Sequence, residues 1–164
     1  MKILALDVAS KTGFCAGTTE RNFISGVWDL SIKRDESSGM RLIRFKRKLV
    51  EMIEVEKPDV VVFERSAGRF MSAVIKQAEL HGVLELYLEE NKINYRAYSA
   101  SEIKKYATGK GNANKDILQQ VFEQQTGYSI KQKLDMTEKQ WNPSSDIIDS
   151  YFICKYGHQE QNEE

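Results

Sequence analysis

Four acidic residues occupy positions where folding could bring their carboxyl groups together. Asp7 and Glu64 each end a short apolar run, and Asp146 and Asp149 are three residues apart in a segment with helical periodicity. A spacing of three places both aspartates on one face of a helix. Because an acid at the end of a buried strand is costly unless a cation or hydrogen bonds compensate for its burial, the four residues predict bound cations.

The chemistry that such a set of carboxylates serves best is phosphodiester hydrolysis with two metal ions. Two Mg²⁺ ions about 3.5–4 Å apart activate a water molecule and stabilise the departing oxygen, and carboxylates are their natural ligands. A strand-end aspartate taken alone more often caps a loop, and an aspartate pair that opens a helix more often complements the helix dipole. All four acids together favour the metal site. The two histidines, His81 and His158, are too few for a histidine-rich zinc site, which points to Mg²⁺ or Mn²⁺.

The strands that must position these acids are predicted from short runs of strand-forming residues. The polar sequence TTERN between the second and third runs predicts a turn, and hence an antiparallel meander. The fourth run is continuously apolar, which is typical of a central strand covered on both faces. The predicted strands are 2–8, 13–19, 23–30, 60–63 and 93–98.

Five helices are predicted from stripes of apolar residues and from cap signals. Ser101 is the predicted cap of the third helix, and Asn142 and Pro143 are the predicted cap and first position of the last one. The glycine- and asparagine-rich sequence TGKGNAN, residues 108–114, predicts a loop before the fourth helix. The predicted bounds are Ser38 to just before Pro58, 73–90, Ser101 to Tyr106, 115–125, and Asn142 to about Tyr156.

Length and composition are those of one globular domain, which we expect to span residues 1–157, followed by a flexible acidic tail, 158–164. The chain has 164 residues, of which 41% are hydrophobic and 29% charged, which excludes a disordered or membrane-embedded protein. The 24 Lys and Arg residues balance the 24 Asp and Glu residues, which excludes a globally basic, histone-like nucleic-acid binder but allows a local basic surface.

The start of the sequence and the cysteines predict a cytoplasmic protein. The N-terminal MKILALDVAS is apolar for only a few residues before Asp7, so we expect neither a secretory signal nor a membrane span. Cys15 and Cys154 lie near opposite ends of the chain without metal-site spacing, so we expect two reduced thiols in the core.

Four segments resemble those of the RuvC-like Holliday junction resolvases of bacteria and phages. They are ILALDVASKTGFCAG, VVVFER, ATGKGNANKDIL and SSDIIDSYFI, and the resemblance covers nearly the whole chain in the family's order. It implies an α/β, RNase H-like (retroviral integrase-like) fold: a mixed five-stranded sheet with helices on both faces. It also implies a Mg²⁺-dependent endonuclease that resolves Holliday junctions or other branched DNA by paired nicks as a homodimer. Such an enzyme would act in the bacterial cytoplasm, or in the host cytoplasm if encoded by a phage.

By this resemblance Asp7, Glu64, Asp146 and Asp149 are catalytic residues and ligands of two Mg²⁺ ions per active site, with Mn²⁺ as a substitute. Asp7 would bridge the two ions, and Glu64 would hold one of them beside the attacking water. Lys115 resembles a family lysine that contacts the scissile phosphate or helps to stabilise charge. The products expected from the family are nicks with 5′-phosphate ends.

Some positions depart from the family pattern. Ala9 stands where Gly is common and Ser150 where Ala is common, and both changes leave the carboxylates intact. Some relatives carry an aromatic residue after the strand-end glutamate that wedges into the junction, and Phe70 is the nearest residue of that type here. Family likeness also predicts that helix 73–90 forms the dimer interface.

Basic residues around the predicted site are candidates to contact DNA. Glycines in the 108–114 loop permit close approach of the backbone, and lysines there can neutralise phosphates. A second basic cluster, between Lys33 and Lys48, is equally consistent with a solvated helix face, and aromatic residues other than Phe70 are more typical of the core. The predicted DNA-binding residues are Lys104, Lys105, Lys110, Lys115, Arg65, Arg69 and Phe70.

Three alternatives stand beside the junction endonuclease. A relative with the same fold could act on structured RNA, as in pre-rRNA processing. A non-catalytic junction-binding module is disfavoured because all four acids are present. An actin-like or sugar-kinase-like ATPase also opens with an apolar strand that ends in Asp, but it needs two such domains to enclose its nucleotide, and 164 residues supply one.

Overall fold

The computed structural model of the chain describes residues 1–18, 23–66, 70–127 and 144–163. The strands in these ranges are β1 (Ile3–Asp7), β2 (Lys11–Gly17), β3 (Phe23–Asp29), β4 (Val60–Glu64) and β5 (Asn94–Tyr98). The helices are α1 (Gly39–Glu56), α2 (Met71–Glu90), α3 (Ala100–Thr108), α4 (Lys115–Thr126) and α5 (Ser144–Glu163). The predicted order of elements is confirmed in these ranges, and the cap proposed at Asn142 and Pro143 lies outside them.

The strands form one mixed sheet in the order β3-β2-β1-β4-β5. β1, β2 and β3 pair antiparallel, which confirms the predicted meander. β4 pairs parallel with both β1 and β5. The C-terminal ends of β1, β4 and β5 therefore lie along one edge of the sheet, which we call the carboxyl edge.

Both faces of the sheet are covered by helices, as predicted. Side chains alternate along a strand, so the even-numbered residues of β1 pack with α1 and α2, and the odd-numbered residues pack with α3, α4 and α5. In β4, Val60 and Val62 lie on the α3–α5 face. The central strand β1 is completely buried from Ile3 to Leu6, which explains why its run of apolar residues is unbroken.

Side-chain caps fix the first residues of helices α3 and α4. Ser99 caps α3: its Oγ accepts a hydrogen bond from the backbone N–H of Glu102 at 3.3 Å, and Glu102 Oε2 accepts one from the N–H of Ser99 at 2.7 Å. The prediction of Ser101 as the cap was wrong, because Ser99 and not Ser101 has a glutamate three residues later. Asn114 caps α4 through a 3.0 Å bond from the N–H of Ile117 to its Oδ1.

Helix α5 extends to Glu163 and so passes the end predicted near Tyr156. Residues 158–163, which we expected to form a flexible tail, are part of this helix. Two contacts explain the extension: Gly157 lies close against Val62, and His158 Nε2 lies 3.2 Å from the carbonyl oxygen of Gly17. No helix in the described parts of the chain is long and apolar enough to cross a bilayer.

Helix α5 and strand β2 approach each other closely. A Cβ atom at Gly13 would lie 2.1 Å from the carbonyl oxygen of Asp146, so only glycine fits at this position of β2. About two turns further along α5, Cys154 lies beside Cys15 of β2. Both are buried, unbridged thiols, as predicted, and they hydrogen-bond to each other. The start of α5 is thereby fixed against the sheet.

We expect Gly13→Ala to lower the free energy of unfolding by about 2–3 kcal/mol, because its methyl group would displace the backbone of α5. Thermal denaturation would show a melting temperature lower by about 5 °C or more. Gly39→Ala is the matched control, since its Cβ would meet only Ser37 Oγ at an ordinary 3.7 Å. Equal melting temperatures for the two variants would contradict this account of the contact between α5 and β2.

Candidate active site

Asp7 and Glu64 lie side by side at the carboxyl edge. Leu6 pairs with Phe63 in the parallel register of β1 and β4, and Asp7 and Glu64 are the next residue on each strand. Neighbouring strands are about 4.7–4.9 Å apart. The alternation of side chains directs both acids to the α3–α5 face. Their positions at the ends of two strands were predicted from the sequence; that the two strands are neighbours is decided by the sheet.

Helix α5 brings the other two acids to the same place. Asp146 and Asp149 lie in its first two turns, and both are half-buried. Ile148 and Phe152 of the same helix are buried in the core against β1 and β4. The close contact at Gly13 sets the position of Asp146.

We call these four acids the carboxyl cluster, because their charges act together on Asp7 and on Asp149. Burial, followed by the charges of Asp149, Glu64 and Asp146, raises the pKa of Asp7 well above its ordinary value. Burial first, with the charges of Glu64 and Asp146, raises the pKa of Asp149 to about 6. Burial also raises the pKa values of Glu64 and Asp146. Each ionised carboxylate therefore makes ionisation of its neighbours less favourable.

Two lysines oppose this repulsion from the α3–α5 face. The charge of Lys115 acts to lower the pKa values of Asp7, Asp146 and Asp149. Lys115 is the first residue of α4, so the cap on that helix also positions its side chain. Lys104 of α3 acts in the same direction on Glu64 and Asp149. Of the predicted basic residues, these two lie beside the carboxyl cluster.

The other predicted DNA-binding residues lie further from the carboxyl cluster or outside the described residues. Lys105 and Lys110 are exposed on α3 and in the loop after it. Arg65 is exposed and acts on Glu102 of α3, whose pKa its charge helps to lower. Phe70 precedes α2 and is 76% exposed. Arg69 lies outside the described residues.

Lys11 was not among the site residues predicted from the sequence. Its charge acts to lower the pKa of Asp146, and its Nζ lies 3.6 Å from Asp29 Oδ2. The signal that could have found Lys11 is its place at the start of β2, directly after the turn that follows Asp7. An antiparallel neighbour begins at the edge where the first strand ends.

The two departures from the family pattern are accommodated locally. The carbonyl of Ala9 accepts a 2.6 Å hydrogen bond from Thr12 Oγ1, which also accepts one from the N–H of Ala9 at 3.3 Å. Ser150 is completely buried, and its hydroxyl donates to the carbonyl of Ile147 at 2.9 Å. The backbone of Ala9 and the hydroxyl of Ser150 therefore both have hydrogen-bond partners.

The donor set of the carboxyl cluster fits hard divalent cations. It offers carboxylate oxygens, the ligands that Mg²⁺ and Mn²⁺ prefer, and a cation would relieve both their burial and their repulsion. Within residues 1–18, 23–66, 70–127 and 144–163, no three Asp, Glu, His or Cys side chains form a group that could hold a metal ion. The fit of the carboxyl cluster to divalent cations therefore rests on its carboxylate oxygens and on its negative charge.

We expect Asp149→Asn to stabilise the metal-free protein at neutral pH. The pKa of Asp149 is raised from 3.8 to about 6, so the folded protein favours the protonated form of this side chain. The contribution of that form to the free energy of unfolding is complete below about pH 4 and is lost as the pH rises through about 6. In a chelator at pH 7.5, the variant should be more stable than the wild type by about 2 kcal/mol, and the difference should vanish near pH 4.

Chemical denaturation across this pH range measures the effect, with Asp35→Asn, in an exposed turn, as the control. Adding Mg²⁺ at pH 7.5 should raise the melting temperature of the wild type more than that of Asp149→Asn. A variant less stable than the wild type at every pH would contradict the assigned repulsion.

The chain is similar in sequence to known proteins. The family model for the crossover junction endodeoxyribonuclease RuvC matches residues 10–141. The protein of that name from Brachyspira hyodysenteriae is 33% identical over 100 residues, 60% of this chain and 62% of the relative, so this chain spans less than two thirds of that relative. The one from Helicobacter pylori (strain Shi470) is 27% identical over 144 residues, 85% of each chain.

The fold is found among solved structures. RuvC of T. thermophilus, solved in complex with a Holliday junction substrate, superposes with a TM-score of 0.76 at 16% identity, over 99% of this chain and 96% of that one. This likeness confirms the expected RNase H-like fold. With a family model that matches most of its length, the chain belongs to the RuvC family of crossover junction endodeoxyribonucleases.

Proposed function

We propose that this chain is a divalent-metal-dependent endonuclease that resolves four-way DNA junctions by paired nicks in the bacterial cytoplasm, or in that of the host if a phage encodes it. The observation that carries the proposal is the carboxyl cluster, where Asp7, Glu64, Asp146 and Asp149 act on one another beside Lys115. Membership of the family supports it, as does the junction bound to a protein of the same fold.

The carboxylates of the cluster are the proposed ligands of two Mg²⁺ ions, with Mn²⁺ as a substitute. When bound, the ions supply Lewis-acid stabilisation of the negative charge that develops on the phosphate. The protein's part is to hold the four carboxyl groups in place at the carboxyl edge, where a bound cation would favour their ionised form. A pKa of about 6 leaves Asp149 mostly ionised at neutral pH, so it is ready to bind a cation.

Lys115 stabilises negative charge from the other side of the site. Its ammonium group faces the carboxyl cluster, where a phosphate must enter against four negative charges. A hydrogen bond from Lys115 to a phosphate oxygen grows stronger as charge builds on that oxygen. The charge of Lys104 affects Glu64 in the same way, because it acts to lower the pKa of that carboxyl group.

The remaining predicted DNA contacts extend outward from the cluster. Lys105, Lys110 and Arg65 are exposed and are proposed to neutralise phosphates. Arg69, outside the described residues, is proposed for the same role from its charge alone. Phe70 exposes a large apolar ring at the start of α2, where it could stack on a base at the branch point of a junction.

A homodimer is proposed because a four-way junction has near two-fold symmetry and needs two matched nicks. Helix α2 supports this assembly. Ile75 and Leu86 are 51% and 60% exposed and are eleven residues apart, about three helical turns, so they share one face. Gly82 lies on the same face with open space around it, which would allow a second helix to approach closely.

We expect Asp7→Asn to abolish junction cleavage while DNA binding persists. Loss of a ligand that contributes several kcal/mol to stabilising charge should slow cleavage by about 10³-fold or more. A nicking assay on a synthetic four-way junction in Mg²⁺ measures the rate, and an electrophoretic shift in Ca²⁺ measures binding. Asp35→Asn should cleave at the wild-type rate.

The same nicking assay shows which nucleic acid is the preferred substrate. Linear duplex and structured RNA are the competing substrates, and the junction should be cut fastest. Preference for RNA would overturn the proposed function, and unchanged cleavage by Asp7→Asn would overturn the role of Asp7.

We expect Leu86→Glu to convert the dimer into a monomer, because a buried carboxylate at the interface would lack a partner. Sedimentation velocity measures the change, and junction cleavage should shift from paired nicks to single, uncoordinated ones. Ile43→Glu is the control, since Ile43 is also 51% exposed but lies on α1. A dimer that survives Leu86→Glu would exclude this face of α2 as the interface.

A further inference from the structure

A groove opens beside the carboxyl cluster. It lies between the turn from β1 to β2, the first two turns of α2 and the first turn of α5, and its volume is about 560 Å³. We call it the α2 groove. Since Asp146 belongs to both, the α2 groove is continuous with the carboxyl cluster. Its lining includes Ser10, Lys11, Ser72, Lys76, Ser145 and Asp146.

Hydrogen bonds fix the walls of the α2 groove to the strands that carry the acids. Gln77 Nε2 donates to the carbonyl of Val8, just after β1, at 3.0 Å. Gln77 Oε1 accepts from Ser66 Oγ, just after β4, also at 3.0 Å. The first turns of α2 are thereby held at a set distance from Asp7 and Glu64. A ligand bound in the groove would therefore lie at a set distance from the carboxyl cluster.

The side chains that line the α2 groove suit a phosphodiester backbone. Lys76 is exposed and forms no ion pair within the described residues. Lys11 enters from the opposite wall. Serine hydroxyls and the small side chains of Ala9 and Ala73 complete much of the lining, which allows a backbone to approach closely and offers hydrogen bonds to phosphate oxygens.

We infer that the α2 groove binds the sugar–phosphate backbone of the DNA strand next to the scissile phosphate, with Lys76 and Lys11 each contacting a phosphate. This inference rests on the proposed function, because it names where the same strand leaves the carboxyl cluster. Lys104 and Lys115 flank the cluster on its other side, so the strand crosses the carboxyl edge between two pairs of lysines. Contacts of this kind fix the register of the strand without reading its sequence.

The test compares the salt dependence of junction binding for Lys76→Gln and Lys11→Gln with that of the wild type. Fluorescence anisotropy with a labelled four-way junction in Ca²⁺, at 50 and 200 mM salt, gives Kd without cleavage. Each phosphate contact contributes about 0.9 to the slope of log K against log salt, so fourfold more salt should weaken wild-type binding about 3.5-fold more than that of Lys76→Gln.

Lys92→Gln is the matched control, because it removes one lysine charge in the turn between α2 and β5, at the opposite edge of the sheet. It should keep the wild-type slope. A wild-type slope for Lys76→Gln, in a protein that binds and cuts junctions, would overturn the groove inference and leave the proposed function standing. A wild-type protein that neither binds nor cuts junctions would overturn the proposed function itself.

A disulfide-crosslinking experiment tests the position of the DNA strand directly. It does not depend on the salt dependence of the lysine variants. Ser72→Cys places an exposed thiol in the α2 groove, while the native thiols of Cys15 and Cys154 are buried and do not compete. It should form a disulfide by exchange with an activated disulfide tethered to a phosphate within a few nucleotides of the scissile position, with release of the small thiol of that group, and Asn91→Cys should not. Failure of Ser72→Cys to crosslink at each tether position tested would overturn the inference.

Discussion

Mutual repulsion among four carboxyl groups is the constraint on which the rest of this structure depends. The sheet and α5 hold Asp7, Glu64, Asp146 and Asp149 so near one another that burial and neighbouring charge raise the pKa of Asp7 well above its ordinary value. Such an arrangement destabilises the fold at neutral pH, so packing elsewhere must offset it. A bound cation would relieve the same repulsion, which is why the cluster is proposed as a cation site.

Helix α5 contributes packing that offsets this repulsion. Its middle turns, from Ile148 to Cys154, are buried against the sheet, and the contact at Gly13 leaves no room for its first turn to move away. The hydrogen bonds of Gln77 hold α2 to the ends of β1 and β4 in the same way. The site is therefore rigid on both sides, which is what positioning a phosphate between fixed charges requires.

Charge is divided between two zones along the carboxyl edge. The acids lie at its centre, and lysines lie on both sides, Lys104 and Lys115 from α3 and α4 and Lys11 and Lys76 around the α2 groove. The balance of 24 basic and 24 acidic residues concealed this division, because a sum does not record position. A neutral protein can in this way present a local track for a polyanion.

The sequence by itself determined which acids end which elements, because strand and helix periodicity are local properties. Asp7, Glu64 and the pair Asp146 and Asp149 were predicted in this way, whereas the helices on both faces of the sheet were expected from the family resemblance. Only the tertiary structure decided that β1 and β4 are neighbours, that Lys11 reaches Asp146, and that α5 continues to Glu163. These depend on contacts between residues far apart in the chain, such as Gly157 with Val62, which no local pattern encodes.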